Sequence, residues 1–456
     1  MKNRIYSFII ILILSFSFIT KINSDEIFNF NVTELLVTEE GNLIQGYNGG
    51  EAYTEDGISI KAQNFEYNKI TNVLIAKKNV VFNDENKNIK IIADNISYER
   101  SNEKVIATGK VFIIDKNQNI EIQANKIVYL KKENQISAIE NVYFYDENKN
   151  IKITAEEISY FKEKQKLFAR SNVELNNLDK MVKIKTDEIT YLKKESMFFT
   201  QGITFADIFS KYKFISKDVF FEQGQMRLYS SEKSIIKDLD YTLYEVDSFD
   251  YKIQDEYLKA TEIIIIENSN LPSSERDKYY FENGFFDLKN KNFKTGATKI
   301  NLKKNIFERP ENDPRIYGVS SNHQDNVTTI NKAVFTSCKK NDDCPPWSLE
   351  ASKIHHDKNK KQLIYENTIL KVYDLPVFYF PKFFHPDPTV KRQSGFLMPT
   401  FKNTPNNNTY FSIPYFKVLS ESKDLTFNPR FNGQDQFLLQ NEYREAKKDG
   451  NIILDT

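Results

Sequence analysis

The sequence predicts an all-β chain: a long antiparallel β-repeat with one apolar face, followed by the first strands of a β-barrel wall. Three observations carry this. A block of strand-like alternation recurs every 31 residues, with copies starting at 58, 89, 120, 151 and 182. Phe and Tyr are abundant, 36 and 25, while Gly and Pro number 14 and 13 in 456 residues, a balance that favours strands over disorder. From Tyr410 onward, aromatic runs alternate with short polar turns, the pattern of successive hairpins. The remaining composition removes several alternatives. Sixty-three basic residues balance sixty-three acidic ones, so no net field gathers a polyanion and nucleic acid is not an expected partner. Apolar residues are 40% even with Tyr counted, which is low for a thick-cored α/β enzyme. Two cysteines exclude a disulfide-dense scaffold.

Lys2 and Arg4 precede the uncharged run Ile5 to Thr20, which has the composition of an export-signal core and is short for a membrane span. Residues 1–24 are therefore expected to be a signal peptide, with maturation after Ser24. No later stretch approaches the ~18 apolar residues of a helical span, so any membrane insertion would use strands.

The repeat reads Ile58 to Tyr67, then Ile89 to Tyr98, Ile120 to Tyr129, Ile151 to Tyr160 and Val182 to Tyr191, with degenerate copies at Tyr212 to Phe221, Glu256 to Ile265 and Trp347 to His356. Within a copy the inward-type residues fall at positions 1, 3, 5, 8 and 10. That is strand alternation interrupted by one three-residue step, and it keeps one face only if the chain bends or bulges at the intervening polar pair. The polar runs Asp84 to Asn88, Asp115 to Asn119 and Asp146 to Asn150 read as hairpin tips. At 5–8 residues per strand, roughly three short strands per repeat are expected. Ile60, Ile89, Ile91, Ile96, Ile120, Ile122, Ile151, Ile153 and Ile184 then share one side, as a groove for lipid chains or as a packed sandwich core. Periodicity leaves both open.

No proline precedes Pro272, yet eight of thirteen lie from Pro376 to Pro429. The change divides the chain into a repeat domain at 25–375, a proline-rich junction at 376–400 and strands of a barrel from 401 to 456. Because proline cannot donate a ladder hydrogen bond, the junction is expected to be extended, edge-like and irregular. Its candidate gate residues are Pro376, Pro381, Pro386, Pro388, Lys391 and Arg392. The basic pair is either a phosphate contact or a solvated turn. Four strands, Tyr410 to Phe416, Leu425 to Phe431, Phe437 to Arg444 and Ile452 onward, cannot close a barrel that needs about eight, so the sequence is expected to be the front of a longer protein.

The runs Cys338 to Cys344, Pro345 to Asp357, Leu375 to Pro381 (LPVFYFP) and His385 to Pro399 (HPDPTVKRQSGFLMP) resemble the LPS-assembly protein LptD family, also called organic solvent tolerance proteins. The His-Pro-Asp-Pro form is similar to alphaproteobacterial members. The 31-residue repeat is similar to the OstA/LptA-like domain that this family shares with the soluble bridge protein LptA. The resemblance implies a periplasmic β-jellyroll ahead of an outer-membrane barrel. Lipopolysaccharide would be the substrate, its acyl chains shielded in the jellyroll and passed to the barrel for insertion in the outer leaflet. An LptE-like lipoprotein and an LptA-like bridge would be partners. Better-known members join cysteines of this domain to a pair late in the barrel. Here Cys338 and Cys344 are the disulfide candidates, with each other or with partners beyond Thr456. A soluble lipopolysaccharide-binding bridge and a packed surface adhesin are the rival readings.

Neither enzyme chemistry nor a cofactor is expected. His355, His356 and Asp357 form the most metal-like cluster but sit at the end of a repeat copy, short of a ligand set. No nucleophile elbow, P-loop or dinucleotide fingerprint occurs.

Overall fold

The computed structural model describes residues 28–179, 181–272, 276–302, 313–339, 345–386, 390, 392–397, 399–402, 410–432 and 436–456. The expected signal peptide lies outside them. The chain divides into two compact units, Met1–Gly202 and Ile203–Thr456.

The first unit contains β1 (Asn29–Thr38), β2 (Leu43–Tyr53), β3 (Ile58–Ala62), β4 (Asn64–Asn68), β5 (Val73–Asp84), β6 (Ile89–Glu99), β7 (Lys104–Asp115), β8 (Ile120–Leu130), β9 (Gln135–Asp146), β10 (Ile151–Phe161), β11 (Lys166–Asn177), β12 (Val182–Leu192) and β13 (Met197–Gln201). From β5 onward each strand pairs antiparallel with the next. A repeat thus holds two strands of 11 or 12 residues, not three short ones. The polar pair at positions 6 and 7 bends a strand without ending it.

The bend has a specific cause. In each repeat two residues oppose one across the ladder: Lys78 and Asn79 face Asp94, Gly109 and Lys110 face Asn125, Glu140 and Asn141 face Glu156, and Ser171 and Asn172 face Asp187. All eight bulge residues have positive φ, between 46° and 80°. A left-handed dipeptide inserted into one strand kinks the pair sharply. The bulge therefore sits on the strand opposite the polar pair that suggested it.

The kink folds the sheet onto itself. Phe82 is in register with Ile91, and Tyr98 lies seven residues further along β6, about 23 Å away on a straight strand. Yet the two rings are 5.8 Å apart, and Phe144 and Tyr160 repeat the contact at 5.8 Å. The two halves of each strand face each other in jellyroll fashion. The turns after β5, β7, β9 and β11 form one rim of the folded sheet, and those after β6, β8, β10 and β12 form the other. Asn88, Asn119 and Asn150 take the left-handed position in the first-rim turns, a conformation Asn tolerates well. Asn88 Nδ2 donates to Asn117 Oδ1 at 2.9 Å and Asn119 Nδ2 to Asn148 Oδ1 at 3.0 Å, so successive turns stack.

The second unit carries the degenerate copies with the same burial. In Trp347–Asp357 the buried residues include Leu349, Ala351, Ile354 and His356, and in Tyr257–Ile266 they include Leu258, Ala260, Ile263 and Ile265. Among the described residues Leu375–Pro386 pairs with Gln362–Val372 alone. It is an edge strand, as its prolines require, but a regular one of 12 residues. A separate sheet follows, from Gly395–Phe396 to Gly450–Asp455. The first expected barrel strand is split there into Tyr410–Ser412 and Tyr415–Ser420, while Lys423–Asn432, Gln436–Lys447 and Gly450–Asp455 form where aromatic strands were expected. Phe401, Phe431, Phe437, Ile453 and Leu454 on this sheet are exposed. Among the described residues no helix is long and apolar enough to cross a membrane.

The bulge account predicts that Asn141→Val, which places a β-branched residue in the left-handed region, lowers stability by roughly 1–2 kcal/mol, whereas Asn141→Gly leaves it unchanged or slightly raised. Denaturant melts of the full chain measure both. Equal melts for the two variants would mean the dipeptide does not set the fold.

Candidate functional site

The nine isoleucines singled out from the periodicity all point into the folded first unit. Ile60 is on β3, Ile89, Ile91 and Ile96 on β6, Ile120 and Ile122 on β8, Ile151 and Ile153 on β10, and Ile184 on β12; each is between 0 and 2 % exposed. Phe82, Phe144, Phe198 and the tyrosines 98, 129, 160 and 191 share that interior. Alternation with one kink delivers every such residue to the same side, so the structure brings the whole set together. In this closed form the side chains fill it.

The interior ends at a row of charges. Asp84, Asp115 and Asp146, in first-rim turns, are at most 1 % exposed; Lys131, Lys162 and Lys193, in second-rim turns, are under 10 % exposed. They meet across the rims: Lys131 Nζ to Asp84 Oδ2 at 3.2 Å, Lys162 to Asp115 at 3.0 Å and Lys193 to Asp146 at 3.0 Å. Each bridge joins turns from different repeats, and each lies one 31-residue step from the last. Two of the carboxylates have two tasks. Asp84 Oδ1 accepts from the Lys87 amide at 3.1 Å, and Asp115 Oδ1 from the Asn117 and Gln118 amides at 3.1 and 3.3 Å, which builds the turn, while Oδ2 crosses the seam.

Tyrosines line the inner side of this seam. Tyr191 donates to Asp146 Oδ2 at 3.1 Å, and Tyr160 donates to Gln118 Oε1. Burial first, and then the Asp146 carboxylate, push the Tyr191 hydroxyl far above its usual titration range; it stays protonated as a donor. The Tyr129 hydroxyl is buried beside Asp84 and Asp115 and has no hydrogen-bond partner among the described residues. Lys193 Nζ also donates to the Gln118 carbonyl at 2.9 Å. Apolar periodicity does not reveal this layer, although Asp and Lys recur at the same 31-residue interval as the isoleucines.

The junction residues are dispersed. Pro376, Pro381 and Pro386 lie on the edge strand Leu375–Pro386; Pro388 and Lys391 lie outside the described residues. Arg392 is exposed but ion-paired. It pairs with Asp424, a carboxylate 4 % exposed that Arg444 Nε also contacts at 2.8 Å, and it donates to the Glu421 carbonyl at 2.8 Å. Its charge is committed to holding the second sheet. His385 Nε2 lies 2.7 Å from the Tyr365 hydroxyl and Nδ1 2.8 Å from the Pro386 carbonyl, contacts within the fold. His355 bonds Thr329 and Glu366 at 3.0 and 3.1 Å. Among the described residues no three His, Cys, Asp or Glu are grouped to hold a metal. Cys338 is a free thiol with Sγ 3.8 Å from the Trp347 carbonyl; Cys344 lies outside the described residues.

A β-repeat folded around an apolar interior defines a β-jellyroll, and residues 107–207 match the family described as lipopolysaccharide-assembly, LptC-related. The chain is also similar to curated LPS-assembly proteins LptD. It is 34% identical over 134 residues to that of Yersinia enterocolitica serotype O:8, which is 29% of this chain and 17% of the relative. It is 31% identical over 128 residues to that of Escherichia coli K12, 28% and 16% of the two chains, and 30% identical over 131 residues to that of Coxiella burnetii, 28% and 15%. The matched segment spans about a sixth of each relative's length. Among solved structures, LptH, the LptA-homologous periplasmic component of the lipopolysaccharide transport device of Pseudomonas aeruginosa, aligns over 27% of this chain and 95% of its own at 16% identity and a TM-score of 0.25. The matched sequence is thus LptD-like, as its motifs implied.

A buried pair broken on one side leaves an uncompensated charge. Asp115→Leu is expected to destabilise by about 3–5 kcal/mol, and Asp115→Leu with Lys162→Met to recover most of that loss. A thermal-melt series of the two variants checks it; a double variant as unstable as the single one would mean the seam is held by something else.

Proposed function

We propose that this chain takes part in lipopolysaccharide transport and assembly at the outer membrane. Its jellyroll shields the acyl chains and hands the molecule to a β-barrel begun by the strands after the proline-rich junction. The observation that carries the reading is the apolar lining of the first unit, repeated at constant pitch along stacked repeats. Transferring a lipid methylene out of water is worth about 0.8 kcal/mol, so a lining of this kind that opens to several acyl chains holds an amphiphile strongly. Because every repeat offers the same lining, a chain can shift by one repeat at little net cost. Net direction must then come from outside the chain.

The proposal includes export by the N-terminal signal and an outer-membrane location with a periplasmic first domain. It also includes an LptE-like lipoprotein and an LptA-like bridge as partners. The role is carriage and insertion rather than catalysis. A wholly soluble bridge would have no use for the sheet bearing exposed Phe431, Phe437, Ile453 and Leu454, which suits strands that meet lipid.

Photo-crosslinking from Ile91, Ile122 and Ile153 in cells should yield lipopolysaccharide adducts at all three positions, and the native polypeptide should run as a heat-modifiable outer-membrane band. Adducts at none of the three, with a soluble band unaffected by heating, would overturn the proposal.

A further inference from the structure

The seam holds more than the closed form requires. Three ammonium groups lie in a row at the constant repeat pitch, at the boundary where the apolar interior meets the rims, and each is neutralised by a carboxylate of the opposite rim. Replacing buried ion pairs by apolar side chains of like volume is commonly neutral or stabilising, so sealing an apolar interior does not by itself call for charges. The partners are unequal as well. The carboxylates are fully buried, and Asp84 and Asp115 are fixed by their own turns through Oδ1, whereas the lysines keep a small exposed fraction and hang on flexible stems. Parting the rims would leave Asp84 and Asp115 in their turns and free the ammonium groups to swing. Beside the first two pairs the Tyr129 hydroxyl is a buried donor without a partner among the described residues.

Resting on the carrier reading, we infer that Lys131, Lys162 and Lys193 are a row of head-group sites for an anionic amphiphile. In the closed protein Asp84, Asp115 and Asp146 occupy these sites, so the seam is the line along which the interior opens. An amphiphile whose chains enter between the rims brings its anionic head to the place the carboxylate leaves. The lysine exchanges one anion for another, and its charge is compensated in both states. A neutral amphiphile offers no such exchange, since opening the seam for it strands three cations against apolar chains. The row thereby selects for charge at the head, while the isoleucine lining is indifferent to it. The 31-residue pitch gives each successive repeat an equivalent site, so the head can step as the chains advance.

The test uses two probes with the same twelve-carbon chain ending in a diazirine, one headed by phosphate and one by maltose, irradiated with the full chain and mapped by peptide mass. The expected result is labelling of β6, β8 and β10 with the phosphate probe favoured by about tenfold at low salt. The preference should collapse near 0.5 M salt, where the screening length is only a few ångströms. It should also disappear in a variant carrying Asp84→Leu, Asp115→Leu, Asp146→Leu, Lys131→Met, Lys162→Met and Lys193→Met. Equal labelling by both probes at low salt overturns this inference and leaves the carrier reading standing, as does a preference retained in the apolar variant. If that variant does not fold, the unaltered chain decides, because a salt-independent preference overturns the inference. Interior labelling by neither probe overturns the carrier reading and the inference with it.

Discussion

The left-handed dipeptide in alternate strands is the constraint on which the first unit depends. Without it the 11- and 12-residue strands would run straight, their inward residues would face solvent on one side of a flat sheet, and the two rims would lie a full strand length apart. With it, Phe82 meets Tyr98 and Phe144 meets Tyr160, and one continuous sheet becomes its own sandwich. Positive φ is unfavourable for most side chains, and eight bulge residues adopt it in four repeats. What offsets that cost is the burial of an apolar face that a flat repeat would leave wet. The kink and the core are therefore one cooperative event.

Folding the sheet also decides the electrostatics. Asp84 and Lys131 belong to turns at opposite ends of their strands and become neighbours only because the strands bend. The turn chemistry that made Asp a good hairpin residue is reused, one oxygen for the turn and the other for the bridge. Such bridges are poor sources of net stability, and the register of the two halves is already set by the continuous ladder that runs through both.

Much of this was legible in the sequence, and the illegible part has an identifiable cause. The pattern at positions 1, 3, 5, 8 and 10 reproduces the buried residues of β6, β8, β10 and β12 because strand alternation is a local property. The turn Asp-to-Asn runs were legible for the same reason. The bend at the polar pair was legible, but the bulge lies on the facing strand, at Lys78-Asn79, Gly109-Lys110, Glu140-Asn141 and Ser171-Asn172. Asn79, Asn141, Asn172 and Gly109 are residues that accept the left-handed region, a signal that went unread because the pairing across the ladder is what makes the dipeptides equivalent. The lysine row was in plain view as Lys131, Lys162 and Lys193, yet a lysine in a turn reads as solvated until the fold closes over it. The pairing of Arg392 with Asp424 was not legible because the two are remote in sequence. For the junction, proline content alone gave the edge position of Leu375–Pro386, since an edge strand tolerates missing donors, but it overstated the irregularity, since its partner strand supplies the register.

The two β-textures of the chain solve opposite problems with one alternation rule. In the first unit, residues of odd and even parity separate into an apolar interior and a charged exterior, and the sheet folds so that the apolar side meets itself. In Lys423–Asn432, Gln436–Lys447 and Gly450–Asp455 seven large apolar residues, Phe431, Phe437 to Leu439 and Ile452 to Leu454, remain exposed, and among the described residues no left-handed dipeptide kinks these strands back on themselves. A twelve-residue strand without a kink is long enough to cross the apolar part of a membrane, which needs roughly ten residues at a tilt. A strand of the same length with a kink cannot span it, since its halves lie side by side. The presence or absence of two left-handed residues thus separates a strand that hides lipid-like surface from one that displays it.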